Sequence, residues 1–152
     1  MDLDRPDNMM RLEFLNLPAN VGVARNAVAT FAAQAEFTLS DVEEIRLAVS
    51  EAVTNAVVHA YPGRRGWVRV NARLSGSLLE LTVDDDGQGI ADVALARQAS
   101  YTTDPERMGL GFSFMEAFSD RLEVGPGPAG GTRVFMVKQP AAVPREEGSS
   151  SA

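Results

Sequence analysis

The sequence predicts an α+β fold: a two-layer α/β sandwich, with helices on one face of a mixed, mostly antiparallel sheet. Three observations predict it. Two stretches between Asn20 and Ala60 carry apolar residues at helical spacing. Two alternating runs rich in β-formers, 67–74 and 78–84, flank Ser75-Gly76-Ser77 and read as a hairpin. The 152 residues contain no internal repeat and suit one domain with a two-layer core.

The elements follow in order. Residues 1–10 are polar and are expected to be a loose segment before a domain at 11–139. Residues 11–17 read as a first strand, with Leu12, Phe14 and Asn16 on one side and Glu13, Leu15 and Leu17 on the other. Pro18 breaks it. Asn20 is the expected N-cap of a helix to about residue 36, with Val21, Ala24, Val28, Phe31, Ala32 and Ala35 inward. Ser40-Asp41-Val42-Glu43 has the capping-box pattern, so a second helix is expected from Asp41 to about Ala60. Its inward residues are Val42, Ile45, Val49, Ala52, Val53 and Ala56, and Pro62-Gly63 ends it. After the hairpin come a glycine turn at 85–90, a short helix near 92–98 and a polar loop at 100–108. A helix is expected at 109–118, then strands at 122–124 and 132–137 around a Gly/Pro turn. The tail, 140–152, lacks the apolar surface to order itself.

Composition excludes several functions. The formal charge of −7 gives no global attraction for nucleic acid, so direct DNA binding is not expected. Arg64-Arg65 reads as a solvated turn. Without cysteine there is no disulfide, thiolate chemistry or Cys-ligated zinc, and a single histidine excludes multi-His metal sites. No window reaches the roughly 18 apolar residues of a membrane span, and Met1-Asp2-Leu3-Asp4 has no signal-peptide pattern. A cytoplasmic location is expected.

Four clusters carry chemistry. Glu51 and Asn55 lie four apart on the second helix and share a face. An amide oxygen can ligate Mg²⁺, and a carboxylate one turn away can take a proton from a hydroxyl. The alternative is a polar face in solvent; Leu47, Ala48, Ala52 and Val58 around the pair suggest partial cover. Asp85-Asp86-Gly87-Gln88-Gly89-Ile90 follows a strand. A fixed carboxylate there can accept from an exocyclic amino group, and glycines let backbone approach a flat base. The alternative is a strand-ending turn held by Asp84 and Asp86. Gly109-Leu110-Gly111-Phe112 precedes a helix, where free N–H groups suit phosphate, though glycine also starts helices for steric reasons. Gly130-Gly131-Thr132 places a hydroxyl near a base or simply makes a tight turn. His59 reads as a helix-end residue with a structural hydrogen bond. The chain has neither a Walker A ending nor a His-Arg-Asp kinase loop.

Together the clusters resemble the N, G1 and G2 boxes of the ATPase superfamily shared by gyrase, Hsp90, histidine kinases and MutL (GHKL), over about residues 11–138. Ser50-Glu51-Ala52-Val53-Thr54-Asn55-Ala56-Val57-Val58-His59 is similar to the signature of the SpoIIAB-type anti-sigma-F factors, serine kinases of sporulation. Leu12-Glu13-Phe14, Ala96-Arg97-Gln98, Thr102-Thr103, Gly111-Phe112 and Phe114-Met115-Glu116 add to the likeness.

The resemblance implies a Bergerat-type ATP-binding fold and an ATP/ADP site with Mg²⁺. By that likeness Asn55 ligates the metal and Glu51 is the base toward a substrate serine. Asp85 binds the adenine amino group, Gly87, Gly89 and Ile90 shape the base pocket, and Thr132 assists there. Gly109, Leu110, Gly111 and Phe112 close on the phosphates under a lid at 99–108. The implied partners are a sigma-F-like sigma factor and an anti-anti-sigma STAS-domain protein, both met by Arg25, with a second copy completing a homodimer. Two readings stand beside the kinase: an anti-sigma module that holds nucleotide but transfers little phosphate, and a detached histidine-kinase ATPase domain. The lid is shorter than the family form and carries Asp104 where the family has lysine, leaving Arg107 to supply the charge. Ala60 replaces a family glycine.

Overall fold

The computed structural model describes residues 6–89, 115–116 and 119–140. Its elements are β1 (Asn8–Leu15), α1 (Ala19–Ala32), α2 (Leu39–His59), β2 (Trp67–Ser75), β3 (Leu78–Asp85), β4 (Arg121–Pro126) and β5 (Thr132–Lys138). The strands form one sheet in the order β1-β2-β3-β5-β4. The α+β sandwich is as expected. The sheet departs in one respect: all four described pairings are antiparallel rather than mixed. The hairpin closes with Ser75 opposite Leu78.

Strand alternation builds the core. Val68, Val70 and Ala72 on β2 and Leu79, Leu81 and Val83 on β3 are buried. They meet Ala24, Val28 and Phe31 of α1 and Ile45, Val49 and Val53 of α2. Both helices thus cover one face, as predicted. Met115 and Glu116 are helical, and Met115 is fully buried in this core. The helix expected at 92–98, the lid, the rest of the helix at 109–118 and residues 141–152 of the tail lie outside the described residues.

Four boundaries differ from expectation, each for a local reason. β1 begins at Asn8, inside the segment expected to be loose, because its N-terminal residues complete the ladder with β2: Asn8 faces Leu74 and Met10 faces Ala72. It ends at Leu15, where the Asn16 side chain turns to Gly66 N–H and the Arg64 carbonyl. Asn20 is not an N-cap. Pro18 is already in the α region (φ −52°), so the helix starts before Asn20, whose amide donates back to the Leu15 carbonyl. α1 stops at Ala32, short of 36, because Gln34 and Ala35 donate to carbonyls three residues back and tighten the last turn.

The capping box of α2 also sits two residues earlier than expected. Thr38 Oγ1 accepts from the Asp41 N–H at 3.0 Å, and Asp41 Oδ2 accepts from the Thr38 N–H at 3.0 Å. Asp41 is therefore N3 rather than the first helical residue, and it is buried. Ser40 is exposed in the first turn. Thr38→Ala should lower unfolding free energy by about 1 kcal/mol, and Ser40→Ala by less than about 0.5 kcal/mol. Urea titration measures both, as a shift in midpoint at constant slope.

Candidate functional site

α2 carries two parallel rows of side chains at four-residue spacing. Ala48, Ala52, Ala56 and Ala60 form one, all buried against the sheet. Glu51, Asn55 and His59 form the other, beside it. The alanines leave a space between helix and sheet that larger residues would fill. Here a cleft opens with about 410 Å³ of free volume, its mouth included. Its enclosed part is only about 40 Å³ among the described residues, well below the roughly 300–1,000 Å³ usual for small-ligand sites. Ala52, Ala56, Ala60, Val83 and Val134 line it with apolar surface, and Asn55, His59, Asp85, Gly89 and Thr132 supply its polar groups.

Asp85 is the last residue of β3, and alternation turns it toward the helices. It is buried, and its Oδ1 accepts from the Gly87 N–H at 2.9 Å and the Thr132 N–H at 3.2 Å. Burial pushes its carboxyl up from the ordinary aspartate value, and the two amide bonds pull the other way. The start of β5 comes this close because residue 131 is glycine. A Cβ at Gly131 would collide with the Asp85 carbonyl oxygen, and its φ of +67° suits no other residue well. Gly87 packs against the Ala60 carbonyl with equally little room.

The neighbours of Asp85 are neutralised elsewhere. Asp84 points to the opposite face and takes two bonds of 2.7 Å from Arg133. Asp86 takes bonds of 2.9 and 2.7 Å from Arg69, which holds its carboxyl below the usual range. The two aspartates expected to hold the turn do so through arginines on adjacent strands.

The structure thus brings together Asn55, Asp85, Gly89 and Thr132, four residues from three separate sequence clusters. The side-chain oxygen of Asn55 is buried. Thr132 engages Asp85 through its backbone amide. Glu51 is half-buried one turn before Asn55 and stands off the cleft lining; burial pushes its carboxyl up. Leu47 and Val58, expected to cover this face, are exposed, and the cover comes from Ala48 and Ala52. His59 is exposed at the rim, and its carbonyl accepts from Gln88 Nε2. Arg25 lies on α1 with Nη1 3.4 Å from Ser50 Oγ. Ile90, Gly109, Leu110, Gly111 and Phe112, with Asp104 and Arg107, lie outside the described residues.

Sequence reasoning treated Ala52 and Ala56 as core and missed that they also floor the cleft, with Val83 of β3 beside them. The unbroken four-residue alanine spacing beside Glu51, Asn55 and His59 was the available signal. It also missed Tyr61, Arg69 and Arg133, whose roles depend on partners far along the chain.

The cleft suits a flat, mostly apolar ring carrying an amino group: apolar walls, a buried carboxylate acceptor and backbone close on one side. No group of three or more His, Asp or Glu forms a metal cage among the described residues. The donor set instead fits a hard cation that takes one amide oxygen and shares its other ligands with a polyphosphate. No described helix is long and apolar enough to cross a membrane.

A family model described as "Histidine kinase-like ATPase domain" matches residues 14–138. An anti-sigma F factor of Thermoanaerobacter sp. (strain X514) is 44% identical over 133 residues, covering 86% of this chain and 93% of that protein. Those of Pasteuria penetrans and Halalkalibacterium halodurans are 46% and 45% identical, covering 87% and 86% of this chain and 91% and 92% of those proteins. Among solved structures, the RsbU and RsbW domains of Rv1364c from Mycobacterium tuberculosis share the fold, with a TM-score of 0.62 and 23% identity over 88% of this chain and 32% of that one. With the helix, the strand end and the glycine turn meeting at one cleft, the chain belongs to the histidine kinase-like ATPase family and groups there with the anti-sigma F factors.

Proposed function

We propose that this chain is an anti-sigma factor and an ATP-dependent serine kinase. It binds a sigma-F-like sigma factor, and it phosphorylates a serine of an anti-anti-sigma STAS-domain protein and so inactivates it. It acts as a cytoplasmic homodimer, and Arg25 contacts both partners. The observation that carries this reading is the convergence of Asn55, Asp85, Gly89 and Thr132 on one cleft beside Glu51. The name shared by its relatives, anti-sigma F factor, supports the regulatory half.

Each residue has a role its surroundings favour. Asp85 accepts from the adenine amino group, its position set by two amides on Oδ1. Asn55 offers its side-chain oxygen to Mg²⁺. The apolar walls exclude water from the base. Bound ATP supplies the transferable phosphoryl group, with Mg²⁺ neutralising its charge. Glu51 accepts the proton of the serine hydroxyl at its carboxylate. A carboxyl raised by burial is a stronger base than an exposed one. A second reading, nucleotide held with little phosphate transferred, draws on Glu51 standing outside the described lining of the cleft.

Incubation with labelled ATP, Mg²⁺ and candidate STAS proteins separates the two. Label on a partner serine supports the kinase; nucleotide binding without transfer supports the second reading. Asn55→Ala should weaken Mg-ATP binding by about tenfold or more, the scale of one lost charge-assisted contact, as read by calorimetry. Glu51→Gln should retain ATP binding and lose transfer by about 10²–10⁴-fold. An unchanged rate removes Glu51 as the base.

The pH profile gives an independent check. A base works deprotonated, so transfer declines as pH falls through its pKa. Burial raises that pKa, which places the acid limb above the pH an exposed glutamate would give. Residual transfer in Glu51→Gln should lack this limb. A limb at the same pH in both proteins belongs to another group.

A further inference from the structure

Tyr61 follows the last turn of α2 and is 5% exposed. Its hydroxyl donates to the Trp67 carbonyl at 2.6 Å and accepts the Asp86 N–H at 2.7 Å. It therefore ties the helix end at once to the first residue of β2 and to the loop leaving β3. The ring is fixed on its flank by Gly66, where a Cβ would collide with it. Asp86 is gripped twice, by Tyr61 at its backbone and by Arg69 at its carboxylate. Asp85, the next residue back, is the cleft's buried acceptor.

We propose that Tyr61 is a positioning residue that sets adenine selectivity: its hydroxyl fixes residue 86, and with it the aim of the Asp85 carboxylate across the cleft from α2. The inference rests on the nucleotide reading given above. A carboxylate selects an amino group over a carbonyl only when it is held in place. A loosened one turns away and stops discriminating. The geometry is built for holding, since a phenol bonded on both sides at 2.6 and 2.7 Å has little freedom to drift.

Tyr61→Phe removes only the hydroxyl. ATP binding should fall about tenfold, equal to about 1.4 kcal/mol. Binding of inosine triphosphate, which has a carbonyl in place of the amino group, should change little. The preference for ATP should therefore collapse. Without nucleotide, hydrogen exchange at the Asp86 amide should speed up while the unfolding midpoint remains well above the assay temperature. Equal weakening of both nucleotides, or an unchanged preference, overturns the inference, even if exchange at Asp86 accelerates. If Tyr61→Phe does not fold, Arg69→Gln loosens the same residue from the surface side. It must lower the preference too, and a preference kept there overturns the inference. Wild-type protein that binds neither nucleotide, or both alike, overturns the nucleotide reading itself, a failure visible before any variant is made.

Discussion

The last turn of α2 ends against the loop that leaves β3, and the rest of the cleft depends on that junction. A helix terminus leaves carbonyls without intrahelical partners. Here the Ala60 carbonyl accepts from the Gln88 N–H at 2.9 Å, and the His59 carbonyl from Gln88 Nε2 at 2.8 Å. The loop thus caps the helix, and the helix shapes the loop. Gly87 must be small to fit beneath Ala60, and Asp85 is thereby set facing the polar row of α2. A helix ended by its own glycine would leave the loop unattached. The two halves of the cleft would then have only side-chain packing to align them.

Charge is organised around the same point. Three consecutive aspartates would repel one another if all faced one way. Strand alternation sends Asp84 and Asp85 to opposite faces, and the strand end releases Asp86 toward β2. Two arginines then neutralise the outer pair in two-toothed contacts, the stronger kind of charged hydrogen bond. Asp85 stays as the carboxylate of the three without a cationic partner among the described residues, held by amides alone. The Asp86 pair is half-exposed and contributes modestly to stability. Its larger effect is to hold the backbone beside Asp85.

Period and punctuation made much of this legible in the sequence. The 75–77 turn located the hairpin, and the apolar spacing of 42–56 located α2 and most of its buried face. Residue type made Asn55, Asp85, Gly89 and Thr132 candidates, the family resemblance assigned them to one site, and they meet at one cleft. What escaped depends on contacts between distant residues. Ser40 and Thr38 can both start a helix, and only the burial of Asp41 decides for Thr38. Asn20 looks like a cap until Pro18 is seen already helical. Leu47 and Val58 are apolar but face outward, because the sheet lies behind the alanine row. Tyr61 carries no sequence signal, since its partners, Trp67 and Asp86, are turned toward it only by folding.

The alanine row shows how a single helix serves both core and site. Toward its start, Ile45 and Val49 fill the space against the sheet. Toward its end, beside Val53, the row next to Asn55 holds only Ala52, Ala56 and Ala60, and the space they leave becomes the cleft. Burying small residues forgoes about 0.8 kcal/mol for every methylene that a larger side chain would have buried. A scaffold selected for stability alone would fill that space. Here the lost packing lies directly beside the buried carboxylate of Asp85 and the amide of Asn55. Apolar surface and polar groups thus line the same place, which is the combination an amino-bearing aromatic ring requires.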